Sequence, residues 1–191
     1  MLRKFNLNTT LIKCKFENHK NIKEHLIKLI DSQKAEKINT RDEYYDDNIS
    51  QTDWKNATNF NLPWKQYFLP YFENTLKNVC TTMGFEKFDL SHLWFQKYNK
   101  GGYHNWHIHG SNYTGVYYLN LPKGSALTKL LDGFNLSNIL SYDTEEGDMI
   151  FFPSHIIHKG EKQLLDENKI IISWNIQFHT IQKNLLNYLN G

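Results

Sequence analysis

The chain has 191 residues, of which 40% are hydrophobic and 15% aromatic, enough for one globular domain with a sizeable core. Its formal net charge is only +2, and Arg3 and Arg41 are its only arginines among 22 basic residues. Charge therefore does not indicate a polyanionic partner. Because arginine is the side chain best suited to base edges and phosphates, the composition also argues against nucleic-acid binding.

The cysteines and the N-terminus bear on where the protein resides. Cys14 and Cys80 form no close-spaced pair, so we expect two buried thiols in a reducing compartment and not a zinc or redox motif. The first 16 residues lack the apolar stretch of a signal peptide, and no apolar run approaches the ~20 residues that span a bilayer. A cytoplasmic protein without a membrane segment is expected, and its oligomeric state is not visible in the sequence.

The first two elements are predicted as a strand and a helix. Residues 2–16 mix apolar and polar side chains as an edge strand does. From His19 to Gln33 the pattern becomes helical, with Asn18 or Asn21 as the N-cap. The residues at helical spacing are Ile22, Leu26, Leu29 and Ile30.

A polar stretch and a second helix follow. Residues 34–62 have no clear period and predict an irregular loop, a candidate lid over a substrate site, whose acidic run at 42–47 is expected to be solvated. Pro63 is favourable at a helix start and Gly84 at a helix end, so a helix is predicted from Pro63 to about Met83, with Pro70 kinking or splitting it. The side chains predicted to pack on a sheet are Tyr67, Phe68, Tyr71, Leu76, Val79 and Cys80.

From residue 88 the apolar pattern changes to period two, broken by glycine, proline and Asx turns. The predicted strands cover residues 88–99, 104–109, 113–121, 125–131, 138–142, 148–152, 156–160 and 169–178. Eight short strands predict a mainly β (α+β) fold, a jelly roll with the two helices supporting one sheet face. The whole chain, 1–191, is predicted as a single domain: a helical and irregular support region (1–87), a β-helix core (88–179) and a C-terminal tail (180–191).

Three histidines are the strongest chemical signal. His107 and His109 are two residues apart, so on a strand their imidazoles project to the same face. His158 lies on a separate predicted strand, which a jelly roll can bring beside the first. Two ligands from one strand and one from another form a facial site with open coordination positions, as a catalytic metal requires. His104 is three residues before His107, and on a regular strand it would point away from this group.

Three ordered motifs carry a resemblance to a known family. They are YNKGGYHNWHIHGSNYTGVYYLN at 98–120, GDMIFFPS at 147–154 and KIIISWN at 169–175. Together they resemble the iron(II)- and 2-oxoglutarate-dependent oxygenases, and most of all a subgroup of marine bacteria and their phages that carries His-x-His followed by Ser-Gly-Val-Tyr-Tyr-Leu. The resemblance covers about residues 94–178 and does not extend to the N-terminal half.

This resemblance implies a double-stranded β-helix that holds Fe(II) through His107, His109 and His158. It implies that 2-oxoglutarate binds through the metal and Lys169, and that the reaction is hydroxylation of a C–H bond. Other side chains expected to line the cosubstrate site are Tyr98, Tyr118, Ser173 and Asn175. The N-terminal half and residues 122–140 are expected to shape the substrate pocket. Nothing in them distinguishes a small molecule from a peptide.

The chain departs from the family pattern in three places. His109 stands where the family has Asp or Glu, which leaves a bound Fe(II) with its full charge until a dianion arrives, and which leaves open that His109 lies outside the ligand set. Lys169 stands where the family has arginine, so the charge is retained without the bidentate fork. Ile171 replaces a serine that would hydrogen-bond the cosubstrate.

Two other classes remain open from the residues. Three histidines also suit Zn(II), which activates a bound water for hydrolysis. The departures at Lys169 and Ile171 fit a non-catalytic binding or virion-associated protein that keeps the scaffold.

Overall fold

The computed structural model describes residue 3 and residues 9–42, 46–133 and 135–189. The strands are β1 (Ile12–Lys15), β2 (Glu36–Arg41), β3 (Asp46–Thr52), β4 (Phe85–Tyr98), β5 (His104–His107), β6 (Tyr113–Asn120), β7 (Thr128–Leu131), β8 (Ile139–Ser141), β9 (Asp148–Pro153), β10 (His158–Gly160) and β11 (Lys169–Ile181). The helices are α1 (His19–Ser32), α2 (Pro63–Thr82) and α3 (Lys183–Leu189), and a one-turn 3-10 helix spans Trp54–Asn56.

The strands form two antiparallel sheets. The larger has seven strands in the order β1-β9-β6-β11-β4-β3-β2, and the smaller has four in the order β5-β10-β7-β8. A core of buried apolar side chains from both sheets, including Val116, Phe152 and Ile171 from the large sheet and Leu130 from the small one, lies between them. This is the predicted mainly β jelly roll, in which the small sheet covers one face of the large sheet.

The other face of the large sheet is covered by α1 and α2, as predicted. Alternate residues of β11, such as Ile172 and Trp174, point to this side because side chains on a strand alternate between faces. They pack against Leu26 of α1 and against Phe68 and Phe72 of α2, all of them fully buried. The helices and the sheet therefore share one hydrophobic core.

A close backbone approach joins three strands of the large sheet at Gly115. This residue of β6 is paired with Trp174 of β11 on one side and with Phe151 of β9 on the other. A methyl group at Gly115 would lie 2.5 Å from the Trp174 ring and would also meet the carbonyl oxygen of Ile150. The absence of a side chain at Gly115 thus leaves room for the Trp174 indole.

Residues 34–62 were wrongly predicted as an irregular loop. Residues 36–41 and 46–52 form β2 and β3, which extend the large sheet beyond β4. The prediction fails because β2 and β3 bury only one face, mostly with polar side chains, so that Ile38 and Ile49 are their only aliphatic members. The acidic run is described only at 42, 46 and 47, since 43–45 lie outside the described residues.

Two details of the helices also differ from expectation. Pro70 does not split α2, which is continuous from Pro63 to Thr82. Its buried face includes Phe72 and excludes Tyr71, which is 36% exposed. Tyr71 and Phe72 are consecutive residues, about 100° apart around the helix axis. Rotation of the predicted buried face by that angle places Phe72 in the core and Tyr71 at the surface.

The ends of the chain add two observations. β1 is an edge strand of the large sheet, as predicted for residues 2–16, although residues 2 and 4–8 lie outside the described residues. The predicted tail contains α3, and β11 extends to Ile181. Among the described residues no helix has both the length and the apolar character needed to cross a bilayer.

Candidate metal site and adjoining cleft

The three predicted histidines converge at one end of the small sheet. His158 on β10 is paired directly with His107 on β5, and His109 follows β5, where its backbone N–H donates to the carbonyl of Ser154. One ring nitrogen from each imidazole lies within 4.8 Å of the other two. The pairing of β5 with β10 therefore brings the two histidines of the His-x-His motif together with His158.

His104 was wrongly expected to point away from this group. Its ring stacks on that of His107, with centroids 3.8 Å apart. The cause is a β-bulge: His107 pairs with His158 and His104 with Gly160, so three steps along β5 match two steps along β10. The extra residue restores His104 to the same face as His107, and its Nδ1 lies 3.2 Å from the side-chain nitrogen of Gln96.

Backbone hydrogen bonds fix the tautomers of two of the histidines. The Nδ1–H group of His107 donates to the carbonyl of Asn105 at 2.6 Å, and that of His158 donates to the carbonyl of Ile156 at 2.8 Å. A carbonyl only accepts, so each Nδ1 carries the proton and each Nε2 presents a lone pair. This is the arrangement that metal-binding histidines usually show.

Burial keeps the cluster neutral. Loss of solvent lowers the pKa of His107, and loss of solvent together with the neighbouring imidazoles lowers the pKa of His158 far below its usual value. The same causes lower the pKa of His109 to about 3. At neutral pH these imidazoles are therefore unprotonated bases that a metal ion can bind without displacing a proton.

The separation of the ring nitrogens also suits a metal. The Nε2 atoms of His109 and His158 are 3.2 Å apart. Adjacent ligands on an octahedral ion, at bond lengths of ~2.1 Å, are roughly 3 Å apart. This separation suits either an Nε2–H of neutral His109 that donates to the Nε2 lone pair of His158 or a cation that both rings bind. The residues present thus fit a divalent metal.

A small inner cavity continues from the histidines into the space between the sheets. Its volume is about 20 Å³, room for roughly one water molecule. Its walls include Tyr98 and Ser173, two of the residues predicted to line the cosubstrate site, and Thr128. The hydroxyl of Tyr98 is buried and has no hydrogen-bond partner among the described residues. An unpaired buried hydroxyl is costly, so this group is suited to a polar ligand.

Lys169 and Tyr118 lie behind this cavity. The ammonium of Lys169 lies over the Tyr98 ring, 4.6 Å from its centroid, and donates to the carbonyl of Ala126 at 2.8 Å. Burial lowers its pKa to about 8. Tyr118 donates to Thr128 at 2.9 Å and is not among the described residues that line the cavity. Lys169 is thus one side chain removed from the open space, with Tyr98 between them.

A larger cleft opens on the other side of the histidines. Its volume is about 440 Å³, and His104, His107, His109 and Gln96 lie on the boundary between it and the inner cavity. Asn175, predicted beside the cosubstrate, lines this outer cleft instead, because it lies two residues further along β11 than Ser173. Residues of the N-terminal half line this cleft, and none of its described lining residues comes from 122–140. The expectation that both segments shape the substrate pocket stays a prediction.

Sequence reasoning missed several residues that line this cleft, and three of them contribute a carboxylate, an exposed aromatic ring and an exposed aliphatic side chain. They are Asp47 of β3, Trp54 of the 3-10 helix, which is 40% exposed, and Ile108, which is 58% exposed. The available signal for Ile108 was its place in the sequence between the two predicted metal ligands. No pattern in the sequence indicated that Asp47 or Trp54 lies at the site, since both belong to the segment that was predicted as a loop.

Solved structures with a similar fold include enzymes that use iron and 2-oxoglutarate. An oxidoreductase of the 2OG-Fe(II) oxygenase family from Burkholderia pseudomallei matches with a TM-score of 0.65 and 9% identity, over 90% of this chain and 87% of that chain. The epimerase SnoN in complex with Fe3+, alpha ketoglutarate and nogalamycin RO matches with a TM-score of 0.64 and 9% identity, over 95% and 84%. Viral collagen prolyl hydroxylase from Paramecium bursaria chlorella virus-1, as its 2OG complex, matches with a TM-score of 0.57 and 15% identity, over 89% and 96%.

These likenesses show that the chain has the fold of the 2OG-Fe(II) oxygenases, which confirms the predicted resemblance at the level of the fold. Neither the profiles of known protein families nor the curated proteins contain a significant match to this chain. The assignment to the His-x-His subgroup stays a prediction.

Proposed function

We propose that the protein is an Fe(II)- and 2-oxoglutarate-dependent dioxygenase that hydroxylates its substrate. The observation that carries the proposal is the convergence of His107, His109 and His158, whose ligand atoms lie within 4.8 Å of one another. The site occurs at the mouth of a jelly roll shared with enzymes of that class. Fold alone would not support the proposal, because jelly rolls have many functions, but the fold and the neutral imidazoles together do.

In this proposal His107 and His158 hold the metal through Nε2, and their Nδ1–H bonds to the backbone keep the rings in place. His109 completes the set where the family has a carboxylate. Fe(II) with 2-oxoglutarate supplies the oxidation of a C–H bond by dioxygen when both are bound. The chain orients these groups: His158 is buried, whereas His107 and His109 are partly exposed on the side of the outer cleft.

The cosubstrate is proposed to direct its distal carboxylate toward Tyr98 and Lys169. The unpaired Tyr98 hydroxyl and the ammonium behind it form the cationic end of the inner cavity. A five-carbon dicarboxylate is larger than the 20 Å³ now open there, so binding requires neighbouring side chains to move. His104 and Gln96 lie at the boundary with the outer cleft and are the side chains best placed to do so.

The test is anaerobic titration of the iron-loaded protein with 2-oxoglutarate, monitored by the metal-to-ligand charge-transfer absorption. We expect a saturable band, and on admission of dioxygen we expect succinate to form. Release of succinate without a prime substrate is slow in enzymes that couple the two reactions, so the band is the primary readout. A protein that binds iron tightly and shows no band at millimolar 2-oxoglutarate would contradict the proposal.

The pKa of Lys169 yields a prediction for cosubstrate binding. Because burial lowers this pKa to about 8, the side chain is charged below that pH and loses its charge as the pH rises above it. Affinity for 2-oxoglutarate is therefore expected to be constant up to about pH 8 and to fall by up to roughly tenfold per unit above it. Lys169→Met should bind weakly and without this pH dependence, whereas Lys100→Ala, at an exposed position, should behave as the parent does. A parental profile in Lys169→Met would exclude Lys169 from the site.

A hydrolytic zinc site is a second candidate, favoured by one observation. The inner cavity beside the three neutral histidines has the volume of about one water. Zn(II) held by three histidines activates such a water. Under this alternative the zinc-loaded protein would hydrolyse an activated ester, and the charge-transfer band would not form with iron.

A further inference from the structure

The described lining of the outer cleft carries two carboxylates and no lysine or arginine. The carboxylates are those of Asp46 and Asp47 of β3. The boundary between this cleft and the inner cavity consists of one glutamine and three histidines, Gln96, His104, His107 and His109. Lys159 lies nearby, but it packs against the Trp106 ring and pairs with Glu161 at 3.0 Å. Arg41 lies beside Asp46, with which it is paired across β2 and β3, so the negative charge that a ligand meets in this cleft is that of Asp47.

Asp47 is the more confined of the two carboxylates. Its side chain is 14% exposed, and its described partners are the backbone N–H of Asn105 at 2.8 Å and the Nε2 atom of His104 at 3.9 Å. Among the described residues no lysine or arginine pairs with Asp47, and a mostly buried carboxylate without such a partner favours a cationic ligand.

A second, independent observation points to a ligand in the same cleft. Asn175 is 8% exposed, lines the cleft, and its side-chain oxygen has no hydrogen-bond partner among the described residues. A buried carbonyl oxygen without a donor costs free energy, so it favours a ligand that brings an N–H or O–H group. Trp54 adds an accessible aromatic ring, which packs edge-on against Trp94 and lies 6.4 Å from the ring of His109.

We propose that the outer cleft binds substrates through an ammonium or guanidinium group, paired with Asp47, with a donor to the Asn175 oxygen and with the body of the molecule against Trp54. That molecules of this class are oxidised by the protein rests on the proposed function. The arrangement is compatible with the metal: three neutral histidines leave Fe(II) with two positive charges, and the 2-oxoglutarate dianion cancels them. An aromatic ring and a carboxylate that line the same cleft also favour an organic cation.

The location of Asp47 links this cation site to the metal site. Asp47 accepts from the backbone of Asn105, and the carbonyl of Asn105 accepts from His107. Asn105 is thus the one residue that separates a cationic group bound to Asp47 from His107. The rest of a compact ligand held at Asp47 would reach the side of the histidine cluster that faces the cleft. The cleft volume of about 440 Å³ accommodates a basic amino-acid side chain or a small aromatic amine.

The test compares three ligands of similar shape and different charge: phenethylammonium, 2-phenylethanol and 3-phenylpropionate. Each is titrated by calorimetry into the anaerobic iron-loaded protein with saturating 2-oxoglutarate. We expect phenethylammonium to bind at least about tenfold more tightly than the alcohol, and the carboxylate to bind most weakly. Raising the salt concentration should reduce the difference, since the cleft is open to solvent.

Two substitutions locate the effect. Asp47→Asn keeps the oxygen that accepts from Asn105 and removes the charge, so it should eliminate the preference for the ammonium over the alcohol. Asp166→Asn removes a charge from a side chain that is 86% exposed, and it should leave the preference intact. Thermal unfolding of both variants shows whether they are folded. Equal affinities for the three ligands, or an unchanged preference in a folded Asp47→Asn, would overturn the proposal.

The same titrations distinguish this inference from the proposed function. If the charge-transfer band fails to form and phenethylammonium still binds through Asp47, the dioxygenase assignment is wrong and the cation site stands. If the band forms and the ammonium shows no preference, the cation site is wrong and the dioxygenase assignment stands.

Discussion

Replacing His107 by alanine is expected to lower the affinity for Fe(II) by more than about 100-fold and to abolish the charge-transfer band with 2-oxoglutarate. Loss of a group that merely orients a metal ligand already costs ~10–100-fold in affinity, and loss of the ligand itself should cost more. His107 has three roles in the structure: its Nε2 faces the other imidazoles, its ring supports His104, and its Nδ1–H is tied to Asn105.

The matched control is His155→Ala. His155 is exposed and lies three residues before His158. Its replacement therefore removes an imidazole near the site without altering the cluster. Metal affinity is measured by competition with a chromophoric chelator, and the fold by the β-sheet signal in circular dichroism. Retention of tight Fe(II) binding in a folded His107→Ala would remove this residue from the ligand set, and an equal loss in His155→Ala would show that the assay is not specific to the cluster.

Replacing Phe72 by alanine is expected to destabilise the protein by about 3–5 kcal/mol. Phe72 is fully buried between α2 and the sheet, with its ring centroid 5.0 Å from that of Phe68 and 4.7 Å from that of Trp174. Its removal leaves a cavity directly behind β11, the strand that carries the cavity residues Ile171 and Ser173. The free energy of unfolding is measured by chemical denaturation.

The control for this substitution is the preceding residue. Tyr71 is 36% exposed, and Tyr71→Ala should cost about 1 kcal/mol or less. Because the helices and the sheet share one core, we also expect a single cooperative transition followed identically by helix and tryptophan signals. Two separate transitions would contradict the predicted single domain, and equal losses for the two variants would contradict the packing of α2.

The strands of the C-terminal half were predictable because they are buried on alternating faces and separated by strong turn residues. The predicted bounds of β6 and β11 differ from the observed ones by few residues. The same reasoning failed at β2 and β3, which lie at the edge of the large sheet and bury few apolar groups. An edge strand of polar residues gains its stability from pairing with a neighbour, and that neighbour is distant in the sequence.

The metal-site histidines were predictable for a local reason and a non-local one. His107 and His109 share a face because of strand geometry, while His158 was placed with them by the order of the motifs. His104 was misplaced because a β-bulge is a property of two strands and leaves no trace in the spacing of one. Asp47 and Trp54 entered the outer cleft for a similar reason, through the pairing of β3 with β4.

The sequence by itself determined the β-rich class, the helical support and the identity of the clustered imidazoles, because local periodicity, residue chemistry and the order of the motifs suffice for these. Only the tertiary structure decided which face His104 occupies, that Asn175 lies in the outer cleft while Lys169 lies behind Tyr98, and that no lysine or arginine among the described residues pairs with Asp47. Each of these depends on strand register and on burial. Both are set by contacts between residues far apart in the chain, so they cannot be deduced from the pattern of any one segment.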